Sequence, residues 1–287
     1  MNVFTNDEAV VRSISTTLKS HQALNETQLL AMVPAAFAAE AHNSRSQRYA
    51  YIPTATIIEQ MIDSGFHPTY AAQSGSKEEN ANGHAKHMIR FRRGQPTALN
   101  DSVPEVVLIN SHDGSSSYQL VAGIYRLVCL NGLVVGHDYR SVNVRHSGNA
   151  ARQVIEGSFE VIDQAARALP RIEQMQQMLL TQDERMMLAI SAHQLRFSNS
   201  IEVGQSIPAA RLLEARRPGD YGHDLWSTLN VVQENVIRGR QTGWVLDDRG
   251  RRARRVSTRA INGISQGVKL NREIWNFAEQ LLELKAG

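Results

Sequence analysis

From residue 149 onward, apolar positions return every three to four residues, the spacing of one face of an α-helix. Val154, Ile155, Phe159, Ile162, Ala166, Leu169, Ile172, Met175 and Leu179 form one such series over Asn149–Leu180. Pro170 predicts a kink or a division within it. Thr181, followed by Asp183 and Glu184, opens a further helix reaching Ala192. Leu225, Trp226, Leu229, Val232 and Ile237 place a helix over Asp224–Arg238, and Ile274, Phe277, Leu281 and Leu284 place one from about Ser265 to Lys285. The first forty residues show the same period. Val10, Val11, Ile14 and Leu18 follow the candidate cap Thr5, and a second helix fits Asn25–Phe37.

Between these helical ends the pattern changes. Tyr49–Ile52 reads as a short strand stopped by Pro53, after which Thr54 or Thr56 caps a helix through Ile57, Ile58, Met61 and Ile62, ended by Gly65. Phe66–Ala72, His87–Phe91, Val106–Asn110 and Ser141–His146 read as strands, and Ser74–Gly83 as an exposed loop. Tyr118–Val135 is apolar with a break at Asn131-Gly132, and its period does not separate strand from helix. Helices, then strands, then helices make an α+β fold: a small, mostly antiparallel central sheet with helices packed on it and a helical C-terminal part. The expected divisions are N-terminal helices over 1–45, an α+β core with its long helix over 46–180, and a helical region over 181–287 that carries a basic segment.

Composition narrows the class. The chain has 287 residues, 42% hydrophobic and 21% charged, as in an ordinary globular protein. The longest apolar runs are far shorter than a membrane span, and no secretory pattern opens the chain. One cysteine, Cys129, excludes an internal disulfide framework and a multi-cysteine zinc site. Set among Leu127, Val128, Leu130 and Leu133, it reads as a buried structural thiol. The expected location is the cytoplasm, with no membrane partner.

Charge is small in total but uneven. The net charge is +3, yet Arg238–Arg259 holds eight arginines against Asp247 and Asp248, a local balance of +6. Arg249, Arg251, Arg252, Arg254 and Arg255 fall within seven residues, on a loop or hairpin leading into a helix. Like charges so close favour a polyanion, so phosphate contact is the expected role, with a solvated loop or part of an oligomer interface as the alternatives. Arg90, Arg92 and Arg93 around Phe91 form a smaller patch, the combination that suits a groove for single strands.

The densest chemistry lies in Asn110-Ser111-His112-Asp113-Gly114-Ser115-Ser116. It reads either as a hairpin turn built on Asp-Gly, or as a cradle of small donors for an anion. A hydrolytic site centred on His112, Asp113, Ser115 and His146 is a further reading, although no G-x-S-x-G elbow supports it. Ten histidines include His84 and His87, but none has diagnostic metal spacing, so no metal and no cofactor is expected.

Several blocks carry a family resemblance: SRSQRYAYIPT (Ser44–Thr54), LINSHDGSSSYQL (Leu108–Leu120), YRLVCLNGLVVG (Tyr125–Gly136), VRHSGN (Val144–Asn149) and YGHDLWSTLNVVQENVIRG (Tyr221–Gly239). In order and content they resemble the plasmid- and prophage-carried bacterial family catalogued as domain of unknown function 932, over about residues 25 to 285. The resemblance implies a mobile-element protein and brings no catalytic residues with it. The element order is also similar to that of Rad52-like single-strand annealing proteins, as architecture and not as motif.

The expected function is nucleic-acid binding, with single-stranded DNA binding or annealing in recombination as its form and a homo-oligomer as its state. The alternatives are a phosphodiesterase-type hydrolase, or a protein that binds and inhibits a host defence system through a host protein partner.

Overall fold

The computed structural model describes residues 17–19, 23–38, 52–75, 83–94, 102–113, 116–127, 131–136, 141–146, 148–198 and 206–286. The helix expected through Val10 and Ile14, the strand residues Tyr49–Tyr51, Gly114, Ser115 and Cys129 lie outside the described residues. The fold is α+β, with an antiparallel sheet and helices. It divides into two compact units, 1–124 with 139–166, and 125–138 with 167–287.

The first unit is built on the sheet order β1 (Thr17–Lys19), β2 (Phe66–Gln73), β3 (His87–Arg93), β4 (Ser102–Asn110) and β5 (Tyr118–Arg126), with β7 (Val142–Val144) paired to β5. β1 corrects an expectation. Leu18 fits a helical period, yet its backbone pairs with Ala71, because an open sheet edge supplies a ladder that local propensity does not. β4 starts before Pro104, but its ladder to β3 begins only at Val106, so the missing proline N–H breaks no bond there. β2 accommodates Pro68 beside an irregularity in its register with β3.

The expected helix over Asn25–Phe37 is shorter. α1 (Glu26–Met32) has a capping box between Asn25 and Gln28, and Pro34 then turns the chain into a 3-10 segment, Pro34–Phe37. α2 (Thr54–Asp63) buries Ile57, Ile58 and Met61 and ends at Gly65, whose φ of +84° is the left-handed value a helix stop requires.

α3 (Ala150–Ala166) packs on β4 and β7 with Ala150, Val154, Gly157, Val161, Ile162 and Ala165 buried. This stripe is turned from the expected one, since Ile155 and Phe159 flank it and Ala166 is exposed. Gly157 permits the approach: a Cβ there would come within 2.9 Å of Val142 and 3.0 Å of Leu120. Pro170 divides the helical series as expected. It cannot donate to the carbonyl four residues back, that of Ala166, and α3 stops there.

The second unit is mostly helical, with the short strand β6 (Asn131–Val134) and a hairpin. α4 (Ala168–Gln177) leads to α5 (Gln182–Phe197), whose capping box joins Thr181 and Glu184 as the sequence predicts. α6 (Leu225–Arg238) is buried on nearly every face, with Trp226 and Leu229 in the core beside Trp275 and Ile274 of α7 (Ile264–Ala286). The last two strands, β8 (Thr242–Leu246) and β9 (Arg252–Ser257), form an antiparallel ribbon of their own. Among the described residues no helix is long and apolar enough to cross a membrane.

Candidate functional site

The arginine segment folds as the tip and second strand of the β8–β9 ribbon. Asp247 organises the tip: its carboxylate accepts from the backbone N–H groups of Arg249 and Arg251 and from the Arg251 Nε at 2.9 Å. These bonds, the Arg251 backbone N–H foremost, hold the Asp247 carboxyl below its ordinary pKa. Gly250, at φ +71°, closes the turn. One ribbon face is anchored, since Val256 packs with Phe197 and Ile207, and Val245 lies against them. Arg249, Arg251, Arg252, Arg254 and Arg255 are all exposed. Arg251 pairs with Asp247, while the other four form no ion pair among the described residues.

The ribbon also carries a residue that sequence reasoning missed. Trp244 is 39% exposed and stands opposite Arg255, and the Arg252 guanidinium lies 5.4 Å from its ring centroid. A signal was present in Thr242-Gly243-Trp244-Val245-Leu246, a short aromatic and β-branched run next to the arginines that reads as a strand.

The smaller basic patch is placed differently from the expectation. Arg90 and Arg92 are buried, 5% and 2% exposed, and both bind one wholly buried carboxylate, Glu105, at 2.9 and 2.8 Å. Phe91 is in the core. Arg93 reaches the surface but lies 4.9 Å over the ring of Phe159, which in turn meets Phe66 edge to face at 5.2 Å. The alternation of β3 explains this: on a strand covered on both faces, a basic side chain lies inside whichever way it points, and it must then be paired. As placed, Arg90, Phe91 and Arg92 do not line a surface groove.

Asn110, Ser111 and His112 stand at the end of β4, which neighbours β5 in the sheet. Asn110, Ser111 and His112 are wholly buried. Their hub is Thr54, whose Oγ1 lies 3.0 Å from His87 Nε2, 3.0 Å from His112 Nε2 and 3.1 Å from Asn110 Nδ2. The protons can be assigned. His87 Nδ1 faces the Ala85 carbonyl at 3.0 Å, which only accepts, so this nitrogen carries the ring proton. Burial pushes the His87 pKa down to about 4, so the ring is neutral and its Nε2 accepts the Thr54 hydroxyl proton. Thr54 has no second proton, and therefore His112 Nε2–H and the Asn110 amide donate to it. Thr54 thus opens α2 without capping it; the N-cap is Pro53, which has no side-chain donor or acceptor.

Around this hub lie further rings. His146 stands 6.3 Å from His112 and 4.5 Å from Tyr118, centroid to centroid, and its Nε2 donates to the Ser116 carbonyl at 3.3 Å. The Tyr118 hydroxyl donates to the Ile52 carbonyl at 2.6 Å. Burial, and then the neighbouring rings of His87, His146 and His84, bring the His112 pKa down to about 3, against a smaller upward pull from Asp113. Burial lowers that of His146 too. The set brings His112 and His146 into one cluster, with Asp113 next to His112 in the chain, and it ties α2 to β3 and β4. Among the described residues no three His, Cys, Asp or Glu side chains converge as a metal-binding group.

The family model described as Domain of unknown function (DUF932) matches residues 41–275. The chain belongs to this family. It is 40% identical over 266 residues to the UPF0380 protein YfjQ of Escherichia coli (strain K12), an alignment covering 92% of this chain and 94% of that protein. It is equally similar, over the same shares, to the UPF0380 protein YafZ of the same strain. No solved structure matches the chain. The matched span takes in both the Thr54 hub and the arginine ribbon.

Proposed function

We propose that this member of the family is a cytoplasmic nucleic-acid-binding protein of a mobile element, holding phosphates with the β8–β9 ribbon. The observation that carries the reading is the set Arg249, Arg252, Arg254 and Arg255: four exposed cations on one short ribbon, with no ion pair among the described residues. Such a group is relieved by a polyanion, and each phosphate contact releases counterions. The mobile-element setting rests on the resemblance of the sequence blocks. Annealing of complementary strands is the finer form of the proposal and rests on element order.

The test is the salt dependence of binding to a fluorescein-labelled oligonucleotide. Each arginine contact is expected to add about 0.7 to the slope of log affinity against log salt on a single strand. Replacing Arg249, Arg252, Arg254 and Arg255 together with Ala therefore flattens that slope by up to about 3. An unchanged slope, or no binding by the unaltered protein at low salt, removes the reading.

A second reading, a phosphodiesterase-type hydrolase, is favoured by the placing of His112 and His146 in one cluster beside Asp113. Against it, His112 has no exposed surface and commits its Nε2–H to Thr54. Cleavage of a labelled oligonucleotide that disappears in His146→Ala, with the fold intact, supports it; no cleavage by the unaltered protein removes it.

A further inference from the structure

The single-strand preference drawn in sequence from Phe91 has no surface basis there, because Phe91 is buried. An aromatic platform exists elsewhere. Of the three tryptophans in the chain, Trp226 and Trp275 are 1% and 0% exposed, and Trp244 is the one that reaches solvent. It borders a groove of about 610 Å³ whose lining includes Ser206, Pro208, Arg211, Leu246 and Arg252.

Three features suit this groove to a flat ring with negative charge on either side. The Trp244 face already carries a planar cation, the Arg252 guanidinium at 5.4 Å, whose place over the ring a base would take. Arg252 and Arg255 stand opposite Leu246 and Trp244 across the ribbon, so cation and platform share one face. The strand that carries the platform is also held in place. The Trp244 backbone N–H donates to the Ser206 carbonyl at 2.9 Å, and Gly243 lies so close to that carbonyl that any Cβ would collide with it. A ring on a fixed backbone has only its two side-chain torsions to lose when it stacks.

We propose that this groove is a base-stacking subsite: it takes one unpaired base of a single-stranded nucleic acid against Trp244, with Arg252 and Arg255 on the adjoining phosphates. A duplex keeps its bases stacked on one another and has none to offer, so the subsite selects single strands. The inference rests on the phosphate-binding reading of the ribbon and adds base recognition without sequence preference, because every base has a stacking face.

The test uses the full chain and its intrinsic tryptophan emission, with three probes of equal length: oligo(dT), an abasic single strand, and a duplex. Oligo(dT) is expected to quench the emission, and the abasic strand to bind about 10-fold more weakly with no quenching. Trp244→Ala is expected to weaken oligo(dT) about 10-fold, leave duplex affinity and the salt slope as they were, and abolish the quenching. Trp244→Phe, which keeps a ring, recovers most of the affinity and guards against a folding defect in the alanine variant. Equal affinity for oligo(dT) and the abasic strand, or an unaffected Trp244→Ala, overturns the subsite. If the quadruple arginine variant still loses salt dependence in that case, the phosphate reading stands alone. Failure of the unaltered protein to bind any of the three probes overturns both.

Discussion

Thr54 and His112 are 58 positions apart in the chain, yet their Oγ1 and Nε2 atoms are 3.0 Å apart in the structure. The hydroxyl donates once and accepts twice, so His87 Nε2, His112 Nε2 and the Asn110 amide N–H share one oxygen. The first residue of α2 thereby fixes two neighbouring strands of the sheet.

Thr54→Val keeps the shape and removes the hub. Three buried polar groups lose their partner, at about 1–3 kcal/mol each when unrelieved, so a loss of about 3 kcal/mol or more is expected. Thr54→Ser keeps the oxygen and is expected to cost about 1 kcal/mol. Urea unfolding of the two variants checks this, and equal losses contradict the hub.

The same cluster makes stability depend on pH. His87 and His112 are neutral when folded, with pKa values brought to about 4 and about 3 from an ordinary 6.5. Well above pH 6.5 neither state is charged at these rings and their contribution to stability is at its full value. As pH falls below 6.5 the unfolded chain takes up protons that the folded chain refuses, and stability declines toward the folded values. Asp113 opposes the shift at both rings, while His84 and His146 add to it at His112. By pH 5 the loss is about 2 kcal/mol for each of the two histidines. Unfolding midpoints at pH 7, 6 and 5 measure it, and a flat profile contradicts the burial of neutral rings.

Glu105 balances two buried guanidinium groups, and removing it leaves both without that counter-charge. Glu105→Ala is expected to cost about 3–5 kcal/mol, whereas replacing Arg90, Arg92 and Glu105 together with apolar residues recovers most of the loss. None of these changes is expected to move the salt slope of oligonucleotide binding, since the arginines do not face solvent. A flattened slope in Arg90→Met would return this patch to the binding surface.

On α3, Phe159 flanks the buried stripe, so Phe159→Ala is expected to cost about 2 kcal/mol, below the 3–5 of a fully buried ring. Gly157→Ala is expected to destabilise by about 1 kcal/mol although alanine is the better helix former, because the new Cβ meets Val142 and Leu120. Thermal unfolding distinguishes the cases: a more stable Gly157→Ala means the contact yields.

Much of this architecture was legible along the chain. The Thr181–Glu184 capping box, the break at Pro170, the helix over Leu225–Arg238 and the strands from Phe66 to Asn110 are set by residues within a few positions of one another. Local hydrogen bonding, proline geometry and apolar period act over that range, and a sequence displays them directly. The density of arginine from Arg249 to Arg255 is likewise a property of the linear chain. Which arginines face water is not. The motif Arg90-Phe91-Arg92-Arg93 looks as basic as the ribbon, but its partner Glu105 arrives from the next strand, and sheet pairing puts that carboxylate between two guanidinium groups. Thr54 is equally silent in sequence, where it resembles a helix cap; only the folding of α2 beside β3 and β4 gives its hydroxyl three partners. Trp244 is exposed because its strand stands in a two-stranded ribbon with one face anchored by Val256, and burial of that kind is settled by long-range packing, which no local pattern encodes.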